Sequence, residues 1–165
     1  MCGIIGINSN KEVTSTILNS LRKLEYRGYD SAGIATLNSG YIQEVKCEGR
    51  VDNLEKNIIK NKLLGNVGIG HVRWATHGIP STLNAHPHSS DNVSVVHNGI
   101  IENSTLLKKF LVKKGHRFKS QTDTEVIVHL ITEYLKKNNL IDTLTKVLKK
   151  LHGSFALGII FKDEP

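Results

Sequence analysis

Short apolar runs rich in valine and isoleucine recur along the chain and constrain its fold more than any other feature. They occupy residues 4–7, 34–37, 67–72 and 93–96, and runs of this length and β-branched composition are typical of buried strands. Between the runs, apolar residues recur every three or four positions, as they do on one face of a helix. The sequence therefore predicts a mixed fold in which strands and amphipathic helices follow one another.

Turn and capping signals set the predicted bounds of these elements. The turn Asn38-Ser39-Gly40 joins the second run to a further strand over residues 41–45. Thr122 and Glu125 have the spacing of a capping box at the start of a helix. The predicted helices cover residues 13–24, 51–59, 105–114, 124–136 and 141–151, with Gly115 and Gly153 ending the third and the last.

The last predicted strand, residues 154–161, is almost wholly apolar. Such composition is typical of a strand that is covered on both faces and flanked by neighbours. Because the sequence ends at Pro165, soon after this strand, we expect the chain to stop before its domain is complete.

Length, charge and cysteine content narrow the class of protein. The chain has 165 residues, a formal charge of +7 and two cysteines, which fits one globular domain without a disulfide framework. Its lysine pairs fall between apolar residues at helical spacing, so they predict solvated helix faces and no nucleic-acid partner. No apolar run is long enough to span a membrane, and no basic segment marks a signal peptide. We therefore expect a cytoplasmic protein.

Cys2 directly follows the initiator methionine. Removal of Met1 would leave Cys2 with both a thiol and a free α-amino group, which together make a nucleophile and its base. Their ordinary pKa values, about 8.5 and about 7.7–8.0, make proton transfer between them cost only about 1 kcal/mol. The alternative interpretation is that Cys2 is a small buried apolar residue that begins a strand.

Polar residues at the ends of predicted elements could complete a site around Cys2. Asn98 and Gly99 follow a strand and together offer the donors of an oxyanion hole, although Asn-Gly is also a common turn. A second strand ends in polar donors, and a helix begins at Asp123, whose alternative role is to cap that helix. The donors after the second strand are Arg73, Trp74, Thr76 and His77. One cation and one anion could hold the two charges of an α-amino acid.

Metal and cofactor signals are weak. His86 and His88 form the one close pair among five neighbouring histidines, and no cysteine or carboxylate pattern accompanies them. The sequence has neither a phosphate-binding glycine loop nor a dinucleotide fingerprint. We expect neither a metal nor an organic cofactor.

The motifs that carry these residues resemble one family closely. In order they are "MCGIIG", "LEYRGYDSAG", "HVRWATHG", "NAHPH", "VVHNGIIEN" and "SQTDTEVI". Together they resemble the glutaminase domain of the glucosamine-6-phosphate synthases, the isomerizing glutamine:fructose-6-phosphate aminotransferases among the class II glutamine amidotransferases. The amidophosphoribosyltransferases are similar near the N-terminus, but they usually have glutamine and aspartate after the first Arg-Gly.

The resemblance implies an α+β fold, a four-layer αββα sandwich of the N-terminal nucleophile hydrolase type, cut short at its C-terminal side within residues 1–165. It also implies roles for the site residues. Cys2 would attack the amide of L-glutamine, and Asn98 and the Gly99 N–H would hold the oxyanion. Arg73 would bind the α-carboxylate and Asp123 the α-ammonium group. The supporting residues would be Trp74, Thr76 and His77 in the pocket wall, Arg27 beside the nucleophile, and His86 as structural support.

The same resemblance implies partners beyond this chain. In the family, sugar-isomerase domains absent from residues 1–165 bind fructose 6-phosphate and consume the ammonia, and we expect a homo-oligomer for the full enzyme. Two alternatives stay open. One is a class II amidotransferase of the amidophosphoribosyltransferase type, and the other is an inactive truncated fragment.

Overall fold

Two antiparallel sheets lie at the centre of the molecule, in a computed structural model that describes residues 2–164. The strands are β1 (Gly3–Asn8), β2 (Ser31–Asn38), β3 (Tyr41–Glu48), β4 (Val67–Arg73), β5 (His88–Ser89), β6 (Val93–Gly99) and β7 (Phe155–Phe161). The helices are α1 (Thr14–Leu24), α2 (Val51–Asn61), α3 (Ser104–Lys113), α4 (Thr124–Leu135) and α5 (Leu140–Leu148), and a 3-10 turn covers Glu25–Arg27. One sheet has the order β1-β4-β2-β3 and the other β5-β6-β7.

Three apolar clusters define the layers. Helices α1 and α2 pack on the outer face of the first sheet, where Ile17 and Leu54 are fully buried. Helices α3, α4 and α5 cover the second sheet, with Ile127 at their centre. The inner faces of the two sheets meet through residues such as Ile69 and Val96. The predicted αββα sandwich is therefore confirmed.

The hairpin predicted at Asn38-Ser39-Gly40 is also confirmed. Strands β2 and β3 pair from Asn38 opposite Tyr41, and the two residues between them have positive φ, 50° at Ser39 and 78° at Gly40. Two successive positive φ angles are typical of the type I′ turn, whose twist matches that of the flanking strands.

The predicted capping box at α4 is wrong. The residue that precedes the helix is Asp123, and the Glu125 carboxylate accepts hydrogen bonds from the backbone N–H groups of Lys119 and Ser120 at 2.8 and 2.7 Å. Thr122 instead pairs its hydroxyl with His88 Nε2 at 2.9 Å. Burial raises the pKa of Glu125, but hydrogen bonds from His129 and the 119–120 loop outweigh it and lower that pKa to about 2.

Strand β7 is less enclosed than its apolar sequence predicts. Within residues 2–164 it pairs with β6 alone, at the edge of its sheet. Ile160 and Phe161 are buried, whereas the residues before them are partly or fully exposed. The described residues therefore supply a neighbour on one side only, and the second neighbour that the composition indicates stays a prediction.

The topology brings the start of β1 and the end of β4 together. Gly3 at the start of β1 lies opposite Val72 near the end of β4, so the residues flanking them, Cys2 and Arg73, lie close together. Gly28, which follows the 3-10 turn, packs against the same point: a Cβ atom there would lie 2.5 Å from the carbonyl carbon of Arg73 and 2.8 Å from Trp74 N. Residue 28 must therefore lack a side chain.

Candidate active site

Cys2 is held from both its side chain and its main chain. Its half-buried Sγ accepts a hydrogen bond from Trp74 N at 3.3 Å and lies 3.6 Å from Trp74 O. Its carbonyl oxygen accepts from Arg27 Nε at 3.0 Å and from Asn98 Nδ2 at 3.1 Å. Cys2 thus sits at a meeting point of polar groups and not in an apolar core. The predicted removal of Met1 concerns a residue outside the described range.

Asn98 and Gly99 are part of β6 and do not form a turn. Asn98 pairs with Ala156 and Gly99 with Phe155 of β7, so the alternative interpretation as an Asn-Gly turn is wrong. Gly99 has a φ of 133°, and a Cβ atom there would lie 2.1 Å from Ser154 O. An amide NH₂ has two hydrogens. One hydrogen of Asn98 Nδ2 binds Cys2 O, which leaves the other for a reacting oxygen.

Arg73 is buried at the end of β4, beneath the loop of residues 74–87 that joins β4 to β5. Its Nη2 donates to the carbonyl oxygen of His77 and, at 3.2 Å, to that of Gly78. Its Nη1 is buried and has no partner among the residues described. Burial lowers the pKa of Arg73, whereas the charges of Cys2, Asp30 and Asp123 act to raise it.

Asp123 precedes α4 but does not cap it. The structure gives it no side-chain hydrogen bond to the helix, and its Oδ2 accepts from the N–H of Ile101 at 2.7 Å. The interpretation of Asp123 as a helix-capping residue is therefore wrong. The bond to Ile101 holds a nearly buried carboxylate on the same side of Cys2 as Arg73.

Two hollows border Cys2. The first has a volume of about 20 Å³ and the second about 470 Å³. All the predicted site residues line one or both of them. The first is lined by Cys2, Arg73, Trp74, Thr76, His77, His86, Gly99 and Asp123, and the second by Cys2, Arg27, Trp74, Thr76, Asn98 and Gly99. The first is far smaller than an ordinary ligand pocket of ~300–1,000 Å³, so an amino acid could enter it only if the covering loop moved.

A cluster of buried histidines lies beneath the site. The Thr124 hydroxyl bridges His86 Nε2 at 2.7 Å and His97 Nδ1 at 2.9 Å, and the ring of His86 stacks on His71 with centroids 4.2 Å apart. His88 meets the ring of His86 edge to face and completes the cluster. Burial lowers the pKa of all four histidines, to about 3 for His71 and His88. Within residues 2–164, no group of three or more His, Cys, Asp or Glu side chains is arranged to hold a metal ion.

Sequence reasoning missed several residues that shape this site. The Asp30 carboxylate accepts from Ala75 N, and the Asp30 N–H donates to Arg73 O at 3.1 Å, so Asp30 fixes the start of the loop. His71 contacts Asn98, and Thr124 joins two histidines. Asp30, His71 and Thr124 lie inside the motifs quoted above, but nothing in their spacing indicates which neighbour each would bind.

Comparisons of the sequence and of the fold with known proteins all match glutamine-dependent amidotransferases or aminotransferases. Residues 71–165 match the sequence profile of the glutamine amidotransferase domain family. The whole chain is 56% identical to the glutamine–fructose-6-phosphate aminotransferase [isomerizing] of Clostridium acetobutylicum, and 99% of it is 50% identical to the protein of that name from Mesorhizobium japonicum. The fold matches the glutamine phosphoribosylpyrophosphate amidotransferase of B. subtilis with a TM-score of 0.85, at 30% identity over 98% of this chain and 35% of that chain.

The chain spans 27% of the length of each of these two curated relatives. No helix in the described part of the chain is both long and apolar enough to cross a membrane.

Proposed function

The chain belongs to the glutamine amidotransferase domain family, and from that premise we propose that it hydrolyses the side-chain amide of L-glutamine with Cys2 as the nucleophile. The observation that carries the proposal is the placement of Cys2, whose thiol contacts Trp74 N and whose carbonyl oxygen contacts Asn98, beside the hollow that Arg73 and Asp123 share. A thiol, an amide donor and one pair of opposite charges are the parts that acyl transfer from an amino acid requires.

In the proposed reaction the Cys2 α-amino group, freed by removal of Met1, takes the thiol proton. The thiolate then attacks the side-chain amide carbon of glutamine, and the oxyanion is held by Asn98 Nδ2 and the Gly99 N–H. The C–N bond breaks as the ammonium proton passes to the leaving nitrogen, which departs as ammonia. Water then hydrolyses the γ-glutamyl thioester, releasing glutamate and restoring the thiol.

Recognition of the substrate would rest on the two buried charges. Arg73 would bind the α-carboxylate and Asp123 the α-ammonium group, with Thr76 and His77 in the pocket wall. Because the hollow beside Arg73 and Asp123 has a volume of only about 20 Å³, we expect the loop to shift as glutamine enters. Trp74, at the start of that loop, would then close over the substrate.

We further propose that the ammonia serves the conversion of fructose 6-phosphate to glucosamine 6-phosphate in a longer, homo-oligomeric and cytoplasmic protein. The names of the curated relatives, at 56% and 50% identity, support the use of fructose 6-phosphate, whereas the homo-oligomer and the cytoplasmic location are proposed from the family resemblance alone. The second candidate, an amidotransferase that uses phosphoribosylpyrophosphate, is favoured by the fold match to the B. subtilis enzyme, but at only 30% identity. The coding sequence downstream of this chain would distinguish the two.

The test is intact mass spectrometry of the purified chain before and after treatment with 6-diazo-5-oxo-L-norleucine, together with an assay for glutamate release. We expect a mass without Met1, one adduct on Cys2, and loss of both adduct and activity in Cys2→Ala. Cys47→Ser is the matched control, because Cys47 is buried and burial raises its pKa to about 11. Glutamate release that survives Cys2→Ala would overturn the mechanism, and a processed chain without an adduct would favour an inactive fragment.

A further inference from the structure

His71 makes a contact with the site that no assigned role explains. It lies in β4 and is fully buried. Its Nε2 is 3.1 Å from the carbonyl oxygen of His97 and 3.0 Å from Oδ1 of Asn98. A carbonyl oxygen can only accept a hydrogen bond. Nε2 must therefore carry the proton, and the atom of Asn98 that faces it must be an acceptor.

The other end of the Asn98 amide is fixed by the same reasoning. Its Nδ2 lies 3.1 Å from the carbonyl oxygen of Cys2, which is again an obligate acceptor. A flipped amide would set NH₂ against the Nε2–H of His71 and oxygen against the oxygen of Cys2. Both contacts would then be repulsive, so Asn98 has one permitted orientation, with its NH₂ group directed toward the nucleophile.

We propose that His71 is a positioning residue for glutamine hydrolysis, whose Nε2–H holds the Asn98 amide in the orientation that presents N–H to the oxyanion. This inference rests on the proposed function. His71 does not touch the substrate in this role and acts through Asn98 alone.

The surroundings of His71 keep it in the required form. The ring of His86 stacks on it, and His97 and the Arg73 charge lie nearby. Burial, together with the charges of His97 and Arg73, lowers the pKa of His71 to about 3, even though its bonds to Asn98 and to the His97 backbone act to raise it. Nδ1 is buried without a partner in the described chain, so a second proton there would find no acceptor. His71 therefore stays neutral, with one donor, at any pH where a thiol enzyme would work.

The kinetic test compares His71→Leu, His71→Gln and the control His88→Leu. The leucine variant removes the Nε2–H donor of His71. In the His71→Gln variant, the new side-chain amide can place an N–H near the position of Nε2. Loss of an oxyanion donor typically lowers kcat by about 10²–10³-fold, so loss of the group that orients it should lower kcat by about 10–100-fold. We expect an unchanged KM for glutamine, since Arg73 and Asp123 are intact, and partial recovery of kcat in His71→Gln.

His88 is the matched control because it is also buried and histidine, yet its Nε2 binds the Thr122 hydroxyl and not Asn98. Its leucine variant should keep kcat within about twofold. An unchanged kcat in His71→Leu, or an equal loss in both leucine variants, would overturn the proposal. If wild type itself releases no glutamate, the proposed function fails, and that outcome is distinct from failure of the His71 variants alone.

A second measurement does not depend on activity, and its first part needs only the wild-type chain. In ¹⁵N-labelled wild-type chain, the ring nitrogens of His71 should show the Nε2–H tautomer without titration between pH 5 and 9. The side-chain amide signals of Asn98 should shift in His71→Gln. An Nδ1–H tautomer, or titration of His71 in this range, would overturn the proposal.

Discussion

At the scale of single residues, the capacity of the site to bind a carboxylate depends on which guanidinium nitrogens of Arg73 already have a hydrogen-bond partner. Nη2 of Arg73 donates hydrogen bonds to two carbonyl oxygens of the loop that follows β4. Nη1 has no hydrogen-bond partner in the described chain. A planar fork can hold the loop and a carboxylate together, whereas an ammonium group is a single point charge.

We therefore expect Arg73→Lys to raise the KM for glutamine by about 10–100-fold, since a hydrogen bond to a charged group contributes about 1.5–3 kcal/mol. Steady-state kinetics would measure this. The control is Arg22→Lys, because Arg22 forms exposed ion pairs with Asp52 and Glu55 on the far helices. An unchanged KM in Arg73→Lys would contradict the assignment of Arg73 to the α-carboxylate.

Gly28 supports a second prediction at this scale. A Cβ atom there would overlap the Arg73–Trp74 peptide at 2.5–2.8 Å, and backbone cannot move aside as a flexible side chain can. Gly28→Ala should therefore lower the free energy of unfolding by about 1–3 kcal/mol and also reduce activity, because the displaced peptide holds the Cys2 thiol. Urea denaturation would measure the change.

Gly6→Ala is the control for this experiment. Gly6 lies in β1, in the sheet that contains Arg73, but the atom nearest to a new Cβ there would be 3.8 Å away, which is ordinary contact. Equal stability of the two variants would contradict the proposed overlap at Gly28.

At the scale of elements, prediction from sequence succeeded where a residue's own conformational preference decides the structure, and it failed where a side chain had several partners to choose from. The Asn38-Ser39-Gly40 turn was predictable because its conformation depends on its own residues. The capping box at Glu125 failed because the carboxylate found donors in the 119–120 loop, and Asp123 was taken for a possible cap although its acceptor role is to Ile101. The donors to Glu125 lie only five and six residues before it, but spacing alone does not show which N–H groups a carboxylate will bind, and Ile101 is 22 residues from Asp123.

The site itself was predictable in part through resemblance. Motifs led to Cys2, Arg73 and Asn98, which the fold brings to one place, while their catalytic roles stay predictions. His71 and Asp30 were missed because each acts by a contact between elements that are far apart in sequence. The family indicated by the motifs is confirmed by the profile match and by the curated relatives.

The loop after β4 gives a prediction for a whole element. Trp74 is the one tryptophan of the sequence, its side chain is 45% exposed, and its ring meets Tyr29 edge to face at 5.7 Å. If the loop closes over glutamine, the indole should be buried and its fluorescence should shift to shorter wavelength. Titration of Cys2→Ala with glutamine measures this without turnover.

Asp30→Ala should weaken the response in the same background, because Asp30 anchors Ala75 at the start of the loop. Calorimetry run in parallel would report binding independently of fluorescence. Glutamine binding by calorimetry with an unchanged Trp74 spectrum would contradict loop closure.

At the scale of the whole molecule, the buried histidines make stability depend on pH. His71, His86, His88 and His97 join the two sheets and α4, and burial lowers the pKa of each. In the unfolded chain a histidine titrates near pH 6.5. Below that pH the unfolded state binds more protons than the folded state, so unfolding is favoured as the pH falls.

The stabilisation should therefore be complete above about pH 6.5 and be lost progressively as the pH falls toward about 3, where His71 and His88 titrate in the folded state. Each such histidine should contribute at most ~1.4 kcal/mol per pH unit to the slope. Urea denaturation at intervals between pH 7 and 5.5 isolates this effect. Glu125 does not interfere, because its pKa is lowered to about 2 when folded and is about 4.3 when unfolded.

His88→Leu should reduce that slope by about one proton, whatever it does to stability at pH 7. His88 does not contact Asn98, so its replacement removes one titrating group without removing the contact between His71 and Asn98. A flat stability profile between pH 7 and 5.5 would mean that the histidines take up protons in the folded state as readily as in the unfolded chain. His71 would then titrate within this range, which contradicts the permanently neutral ring on which the proposed orientation of Asn98 depends.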